Sequence, residues 1–395
     1  MAVVAYLCYC MVDKKPSSIS RDSFVAGQFV VVNISALIDE SLSPQELAEA
    51  KRRIGEQIAH ACRTTGFFYV TGHGFSEEER QQVFEASREF FRLPDHAKER
   101  IPIQSGGFTR GYIGIGGESG SHRLEVKEAF SYGYSWDASV PPQNSLQGCN
   151  VWPDGNLLAA GWQQRLEMFY SRMMDVSLLV VRALAISLRM DESKLLQVRS
   201  LSLTEQYCEQ GDTISLMRFF HYLPPSGRVD QSHVLAVSRD KLSDAETIGS
   251  SPHTDWGFLT LILQDQIGGL QLFQENRLWI DVPSVDGSIL VNCGDYLALL
   301  TGYVSPIHRV LSPRQSERFS MVLFYYPSYG AQMDFSRWGL SSPRRSSEVE
   351  KKRYSLFKDQ NDASNSKSQT LKTFGLPFGE YITQKWAQVY RSKDD

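Results

Sequence analysis

The apolar positions along this chain change rhythm near residue 210. Phe29-Val30-Val31-Val32-Asn33-Ile34 is a β-branched run and predicts a strand. Ser43-Pro44 follows, with the serine placed as N-cap and the proline at the first helical position, and Leu47, Ile54, Ile58 and Ala61 recur at helical spacing behind it. Gly66-Phe67-Phe68-Tyr69-Val70-Thr71-Gly72 predicts a short buried strand bounded by glycines. Ser76-Glu77-Glu78-Glu79 is a capping box opening a second helix that ends near Phe91-Arg92-Leu93-Pro94. Residues 104–122 are glycine-rich and predict loop; Gly114-Ile115-Gly116-Gly117 lacks the helix and Lys-Ser/Thr of a phosphate loop. Ala159 to Leu188 is a long helical stretch whose Met168, Met173 and Met174 suit core packing.

From about Ser215 the apolar runs become short, with Gly, Asn, Asp and Pro between them. They are Leu216–Leu223, Phe258–Leu263, Leu270–Phe273, Leu278–Val282, Ile289–Val291, Leu297–Leu300 and Phe319–Tyr325. This is the cadence of an antiparallel sandwich or barrel. Ser341 to Thr370 is rich in Ser, Lys, Asn and Asp and predicts a disordered insertion. Helical spacing returns from Phe374 to Arg391. The chain divides accordingly into an extension (1–27), an α/β segment (28–150), a helical connector (151–210), a β domain (211–330), the insertion (341–370) and a closing helix (371–395).

Composition narrows the function classes. The charged fraction is 22% and the formal net charge −4, with no basic stripe, so nucleic acid is not an expected partner. The six cysteines include no C-x-x-C pair, and free thiols in a reducing compartment are expected. The apolar start, Met1 to Val12, lacks a basic flank and is too short to span a bilayer. The chain is therefore expected to be cytoplasmic and to keep clear of membranes.

Candidate chemistry concentrates in His253-Thr254-Asp255-Trp256-Gly257 and Ile307-His308-Arg309-Val310. In an extended segment, His-x-Asp puts both side chains on one side. A second histidine 53 residues beyond Asp255 can arrive from a neighbouring strand. Two imidazoles and one carboxylate on one face of a metal leave the opposite face open, which suits non-haem Fe(II); zinc would accept the same donors. Arg318 and Ser320 would project from one face of the next strand, and an arginine fork beside a hydroxyl is a receptor for a carboxylate. A zinc hydrolase has no evident need of that pair.

The chain resembles the isopenicillin N synthase-like branch of the Fe(II)/2-oxoglutarate-dependent dioxygenases. The matching pieces run in order from Phe29 to about Tyr329. They include Gly66-Phe67-Phe68-Tyr69-Val70, Gly72-His73-Gly74, Phe90-Phe91-Arg92-Leu93-Pro94, Lys127-Glu128-Ala129-Phe130, His253-Thr254-Asp255-Trp256-Gly257, Asn292-Cys293-Gly294-Asp295, His308-Arg309-Val310 and Arg318-Phe319-Ser320. The resemblance implies a mainly β chain: a double-stranded β-helix (jelly-roll) core, a helical N-terminal segment and a C-terminal helix. It implies His253, Asp255 and His308 as ligands of Fe(II), and Arg318 and Ser320 as holders of the distal carboxylate of 2-oxoglutarate. Tyr222 is a further candidate for that co-substrate if Leu223 is a local insertion in His221-Tyr222-Leu223-Pro224. O₂ would be the oxidant, ascorbate a reductant for the iron, and a small organic molecule the substrate, hydroxylated or desaturated with release of succinate and CO₂. Two alternatives stay open: an Fe(II) oxidase of the same fold that does without 2-oxoglutarate, and a non-catalytic relative that binds small molecules. In this reading His73 and Asp295 have turn roles, Trp256 packs over the metal site, and Arg110, Tyr112, Phe130 and Phe324 are expected along the substrate side.

Overall fold

A computed structural model describes residues 25–26, 29–103, 110–118, 123–190, 214–224, 247–274, 278–331 and 376–391. The insertion expected at 341–370, most of the extension and residues 191–210 of the connector lie outside these. The elements in chain order are β1 (Val25–Ala26), β2 (Phe29–Asn33), α1 (Pro44–Thr64), β3 (Phe67–Thr71), α2 (Glu77–Phe91), α3 (Asp95–Lys98), β4 (Gly111–Ile113), β5 (Leu124–Glu125), β6 (Lys127–Gly133) and α4 (Trp162–Ser187). They continue with β7 (Leu216–Tyr222), β8 (Thr247–Ile248), β9 (Ser250–His253), β10 (Leu259–Gln264), β11 (Leu270–Phe273), β12 (Trp279–Asp281), β13 (Ile289–Cys293), α5 (Asp295–Thr301), β14 (His308–Val310), β15 (Arg318–Tyr325) and α6 (Phe378–Arg391).

Nine strands form a major sheet in the order β1-β2-β3-β13-β10-β15-β7-β6-β4, and four form a minor sheet, β12-β11-β14-β9. All pairings are antiparallel except β2 with β3 and the small β5–β8 pair. The two sheets are the halves of a double-stranded β-helix. Strand alternation then sorts the side chains. One face of the major sheet, carrying Phe68, Phe130, Phe219, Leu261, Val291 and Met321, packs with residues of α1, α2 and α4 in the larger core. The other face, carrying Tyr69, Phe220, Tyr222, Ile262, Leu290 and Val322, meets Leu270, Leu272 and Val310 of the minor sheet in a second core inside the β-helix.

The local signals for the helices hold. In α1, Ser43 Oγ accepts from the Glu46 N–H and the Glu46 carboxylate accepts from the Ser43 N–H; Ser76 and Glu79 do the same for α2. Each box satisfies two helix-end donors that would otherwise go unpaired. In α6, Phe378 and Tyr381 pack on Tyr296 with ring centroids 4.8 and 5.7 Å away, which docks the closing helix against α5. No helix among the described residues is long and apolar enough to cross a membrane.

Two expectations are corrected. Leu297–Leu300 belongs to the helix α5, not to a strand. A four-residue apolar run carries no period of its own, and here Asp295 in the first turn and left-handed Gly302 (φ 70°) at the C-terminal end decide for helix. The glycine-rich segment 104–122 is not wholly loop, because Gly111–Ile113 pairs with Ser131–Ala129 as the last strand of the major sheet. Gly111 has φ +118°, and a Cβ there would stand 2.5 Å from the Ile101 carbonyl oxygen; only glycine lets the two backbones approach.

Candidate metal and co-substrate site

His253 ends β9 and His308 begins β14, and the two are direct cross-strand partners in the minor sheet. Their ring centroids lie 4.3 Å apart. Asp255 lies two residues beyond β9, and its Oδ1 stands 3.7 Å from His253 Nε2 and 3.9 Å from His308 Nε2. One donor atom from each of the three lies within 4.8 Å of the others, the grouping a single metal ion requires.

The surroundings leave one lone pair per ligand pointing at that point. The Nδ1 of His253 is 2.7 Å from the Ser251 carbonyl oxygen, and the Nδ1 of His308 is 3.0 Å from that of Pro306. A carbonyl can only accept, so each Nδ1 carries the proton and each Nε2 is free to ligate. The Asn292 amide donates to Asp255 Oδ2 at 2.8 Å, which leaves Oδ1 for a metal. Removal from bulk water lowers the His253 pKa to about 4, and the neighbouring His308 adds to this. Both effects favour the neutral ring, whose side chain is 41% exposed. Burial works to raise the Asp255 carboxyl, but the two imidazoles and the Asn292 and Thr260 hydrogen bonds outweigh it and hold the group below its ordinary value. Two neutral imidazoles and one carboxylate fit a divalent first-row ion with open positions.

The N-terminus of α5 holds the Asp255 segment in place. The Asp295 N–H donates to the Asp255 carbonyl at 2.7 Å and the Tyr296 N–H to that of Gly257 at 3.1 Å, so helix-end donors find their acceptors in the ligand loop. A Cβ on Gly294 would meet the Gly257 carbonyl oxygen at 2.1 Å, and one on Gly257 the Tyr326 ring at 2.5 Å. Asp295 does more than turn the chain. Its carboxylate accepts from Thr254 Oγ1 at 3.1 Å and from Ser305 Oγ at 2.7 Å, clamping the segments that precede Asp255 and His308.

Behind His253, Glu125 Oε1 accepts the Ser251 N–H at 2.9 Å, while Glu125 Oε2 pairs with Lys127 Nζ at 2.7 Å. Burial alone would raise the Glu125 carboxyl; the lysine and the Ser251 donors overcome it and bring the pKa to about 2. Glu125 does not stand out in the sequence, since its backbone partner Ser251 lies 126 positions away.

Arg318 and Tyr222 face each other across β15 and β7, with the guanidinium carbon 4.8 Å from the ring centroid. Arg318 is 1% exposed. Its Nη1 donates to Ser320 Oγ at 3.3 Å and its Nη2 to Gln264 Oε1 at 2.9 Å, while Nε has no partner among the described residues. A buried cation whose described partners are neutral calls for an anion. Arg318, Ser320 and Tyr222 all lie on the inward face, the face that carries Thr260 and Asn292 beside Asp255. A carboxylate seated there would find two donors and an aromatic wall.

The residues expected along the substrate side divide. Phe324 faces inward, opposite Thr260. Tyr112 and Phe130 do not: β4 and β6 turn them to the helix side, where Phe130 stacks among Phe90, Tyr132 and Trp162, and the Tyr112 hydroxyl donates to Glu128 Oε2 at 2.5 Å. Arg110 is spent on the loop before α4, donating to Asn150 Oδ1 at 3.1 Å and to the Leu146 carbonyl at 3.2 Å. His73 holds its turn, accepting the Phe75 N–H on Nδ1 at 3.1 Å. Trp256 packs edge-on against Trp386 of α6, with centroids 5.5 Å apart.

Comparison with known proteins shows the family. Residues 35–155 match the family "non-haem dioxygenase in morphine synthesis N-terminal", and residues 214–327 match the 2OG-Fe(II) oxygenase superfamily. The chain is 32% identical over 292 residues to the 2-oxoglutarate-dependent dioxygenase citB of Monascus ruber, covering 70% of this chain and 80% of that one. It is 32% identical over 295 residues to the clavatol oxidase claD of Penicillium crustosum, with the same coverage. Among solved structures, a full-length Neurospora crassa protein in complex with alpha-KG and thymine superposes with a TM-score of 0.65 over 93% of this chain and 99% of that one, at 21% identity. The chain belongs to the 2OG-Fe(II) oxygenase superfamily and is a 2-oxoglutarate-dependent oxidoreductase.

Proposed function

We propose that His253, Asp255 and His308 hold the Fe(II), that Arg318 and Ser320 bind the distal carboxylate of 2-oxoglutarate beside Tyr222, and that the oxidised substrate is a small organic molecule. The observation that carries this reading is the pairing of two features on the inside of one β-helix. Three lone pairs converge at its minor-sheet side, and a buried arginine whose described partners are neutral sits on the major sheet. Iron held there supplies the activation of O₂, which couples decarboxylation of 2-oxoglutarate to succinate and CO₂ with hydroxylation or desaturation of the substrate. The protein's share is orientation: the carbonyls of Ser251 and Pro306 set the imidazole tautomers, Asn292 turns the carboxylate, and Arg318 fixes one end of the co-substrate. A relative named for clavatol supports a small organic substrate.

Succinate release tests the reading without a known substrate. With Fe(II), ascorbate, 2-oxoglutarate and air, the protein is expected to form succinate slowly, and a broad screen of small aromatic compounds should raise that rate. No succinate above an iron-free control, with or without those compounds, would contradict it.

A further inference from the structure

Arg218 is a charged residue in the middle of an apolar strand, and neither the metal site nor the co-substrate site uses it. It is 4% exposed and faces the inside of the β-helix, on the same side of β7 as Phe220 and Tyr222. Its Nε donates to Ser131 Oγ at 2.9 Å. Its Nη1 reaches both oxygens of Glu118, at 2.9 and 3.2 Å. Its Nη2 is buried and has no partner among the described residues. The guanidinium carbon lies 5.8 Å from the ring centroids of both Phe220 and Trp386, so the group is fixed between aromatic walls. A buried N–H pair left open costs folding free energy and is expected to have a partner in the working protein.

Register places this donor relative to the chemistry. Arg218 lies opposite Val322, whereas Tyr222 lies opposite Arg318; the two are four residues apart along β7, about 13 Å at 3.3 Å per residue. Arg218 is therefore beyond the proposed grip on the 2-oxoglutarate carboxylate. Thr260, which holds Asp255, sits on β10, two strands from β7, a lateral distance of about 10 Å. Between them β15 presents Val322, opposite Arg218, and Phe324, opposite Thr260, on the same inward face. Trp386 contacts both Arg218 and Trp256, the neighbour of Asp255, and so links the arginine to the metal side.

We propose that Arg218 is the residue that orients the substrate, donating from Nη2 to a carbonyl oxygen on a planar ring whose oxidised group then faces Asp255. Glu118 sets the kind of acceptor. Its carboxylate balances the guanidinium charge, so the site offers a hydrogen-bond donor without a net positive charge and selects a neutral carbonyl over a carboxylate. The inference rests on the functional reading above, because it takes the metal side of the cavity as the place of reaction.

Matched probes test it: 2-hydroxyacetophenone beside 2-ethylphenol, thymine beside 5-methylpyrimidine, and salicylate as the anion. Their affinities are measured for protein loaded with redox-inert Zn(II) and 2-oxoglutarate, with 2-oxoglutarate affinity read on the same samples. At least one carbonyl ring should bind the wild type about tenfold or more tightly than its carbonyl-free partner, as a hydrogen bond to a charged group requires. In Arg218→Met that preference should vanish while 2-oxoglutarate affinity stays the same. Glu118→Gln keeps Arg218 and should turn the preference toward salicylate. A carbonyl preference that survives Arg218→Met, a wild type with no preference, or an unchanged order in Glu118→Gln overturns the proposal. Loss of 2-oxoglutarate binding in a folded Arg218→Met protein also overturns it, assigning Arg218 to the co-substrate. A wild type that takes up no 2-oxoglutarate would sink the functional reading instead, and the ring preferences would report on Arg218 separately.

Discussion

Replacing His308 with alanine is expected to abolish iron binding and 2-oxoglutarate turnover while leaving a folded protein. His308 supplies one of the three converging donors, at 3.9 Å from Asp255 Oδ1, and no other histidine among the described residues joins the group. Loss of an outer hydrogen-bond partner of a ligand lowers metal affinity by roughly 10–100-fold; loss of the ligand itself should exceed that. The cost to the fold is bounded. The His308 ring is buried against Phe67, with centroids 5.6 Å apart, so alanine leaves a small void worth about 1–3 kcal/mol. The β9–β14 ladder also runs through the backbone at Val310 and Ser250, which the substitution does not touch. Iron titration and O₂ consumption, with circular dichroism as the control on folding, decide the matter. Undiminished O₂ consumption in His308→Ala would remove His308 from the metal.

Arg318→Leu should weaken 2-oxoglutarate binding on the order of 10²–10³-fold and leave iron affinity nearly unchanged. Arg318 bonds to Ser320 and Gln264 and to none of the three candidate ligands. Taking away one side of a buried, hydrogen-bonded charge pair costs about 2–5 kcal/mol, an interval whose middle corresponds to that loss of affinity. Leucine also strands Gln264 Oε1 and Ser320 Oγ in an apolar wall. Arg318→Lys should fall between, since a point charge replaces a two-pronged fork. Equal co-substrate affinity in wild type and Arg318→Leu, read by calorimetry under anaerobic conditions, would take Arg318 out of its role.

What the chain reveals unaided follows from the range of each signal. Ser43 and Ser76 cap their own helices three residues on, so α1 and α2 are readable from adjacent letters. His253, Asp255, His308, Arg318 and Ser320 stand out because their residue types and spacings are unusual together. Leu297–Leu300 misleads because four apolar residues suit strand and helix alike. Tyr112 and Phe130 mislead for another reason. Their segments were recognisable, but a strand sends alternate side chains to opposite faces, and register alone decides which face is inside. Asn292, Gln264 and Glu125 act on groups 37, 54 and 126 positions away, and no local pattern announces such partners. Arg218 did carry a signal, a charge inside Leu216-Met217-Arg218-Phe219-Phe220, which has meaning only once Ser131 and Glu118 are seen beside it.

The central claim is that one cavity holds both the metal and 2-oxoglutarate. Its most direct test is an anaerobic visible spectrum of the purified protein, taken with Fe(II), with 2-oxoglutarate, and with both. A charge-transfer band that needs both components, and is lost in His308→Ala, is the result predicted by joint binding at His253, Asp255 and His308. Iron that binds without producing such a band would contradict chelation by 2-oxoglutarate, and failure to bind iron at all would contradict the three-residue site itself.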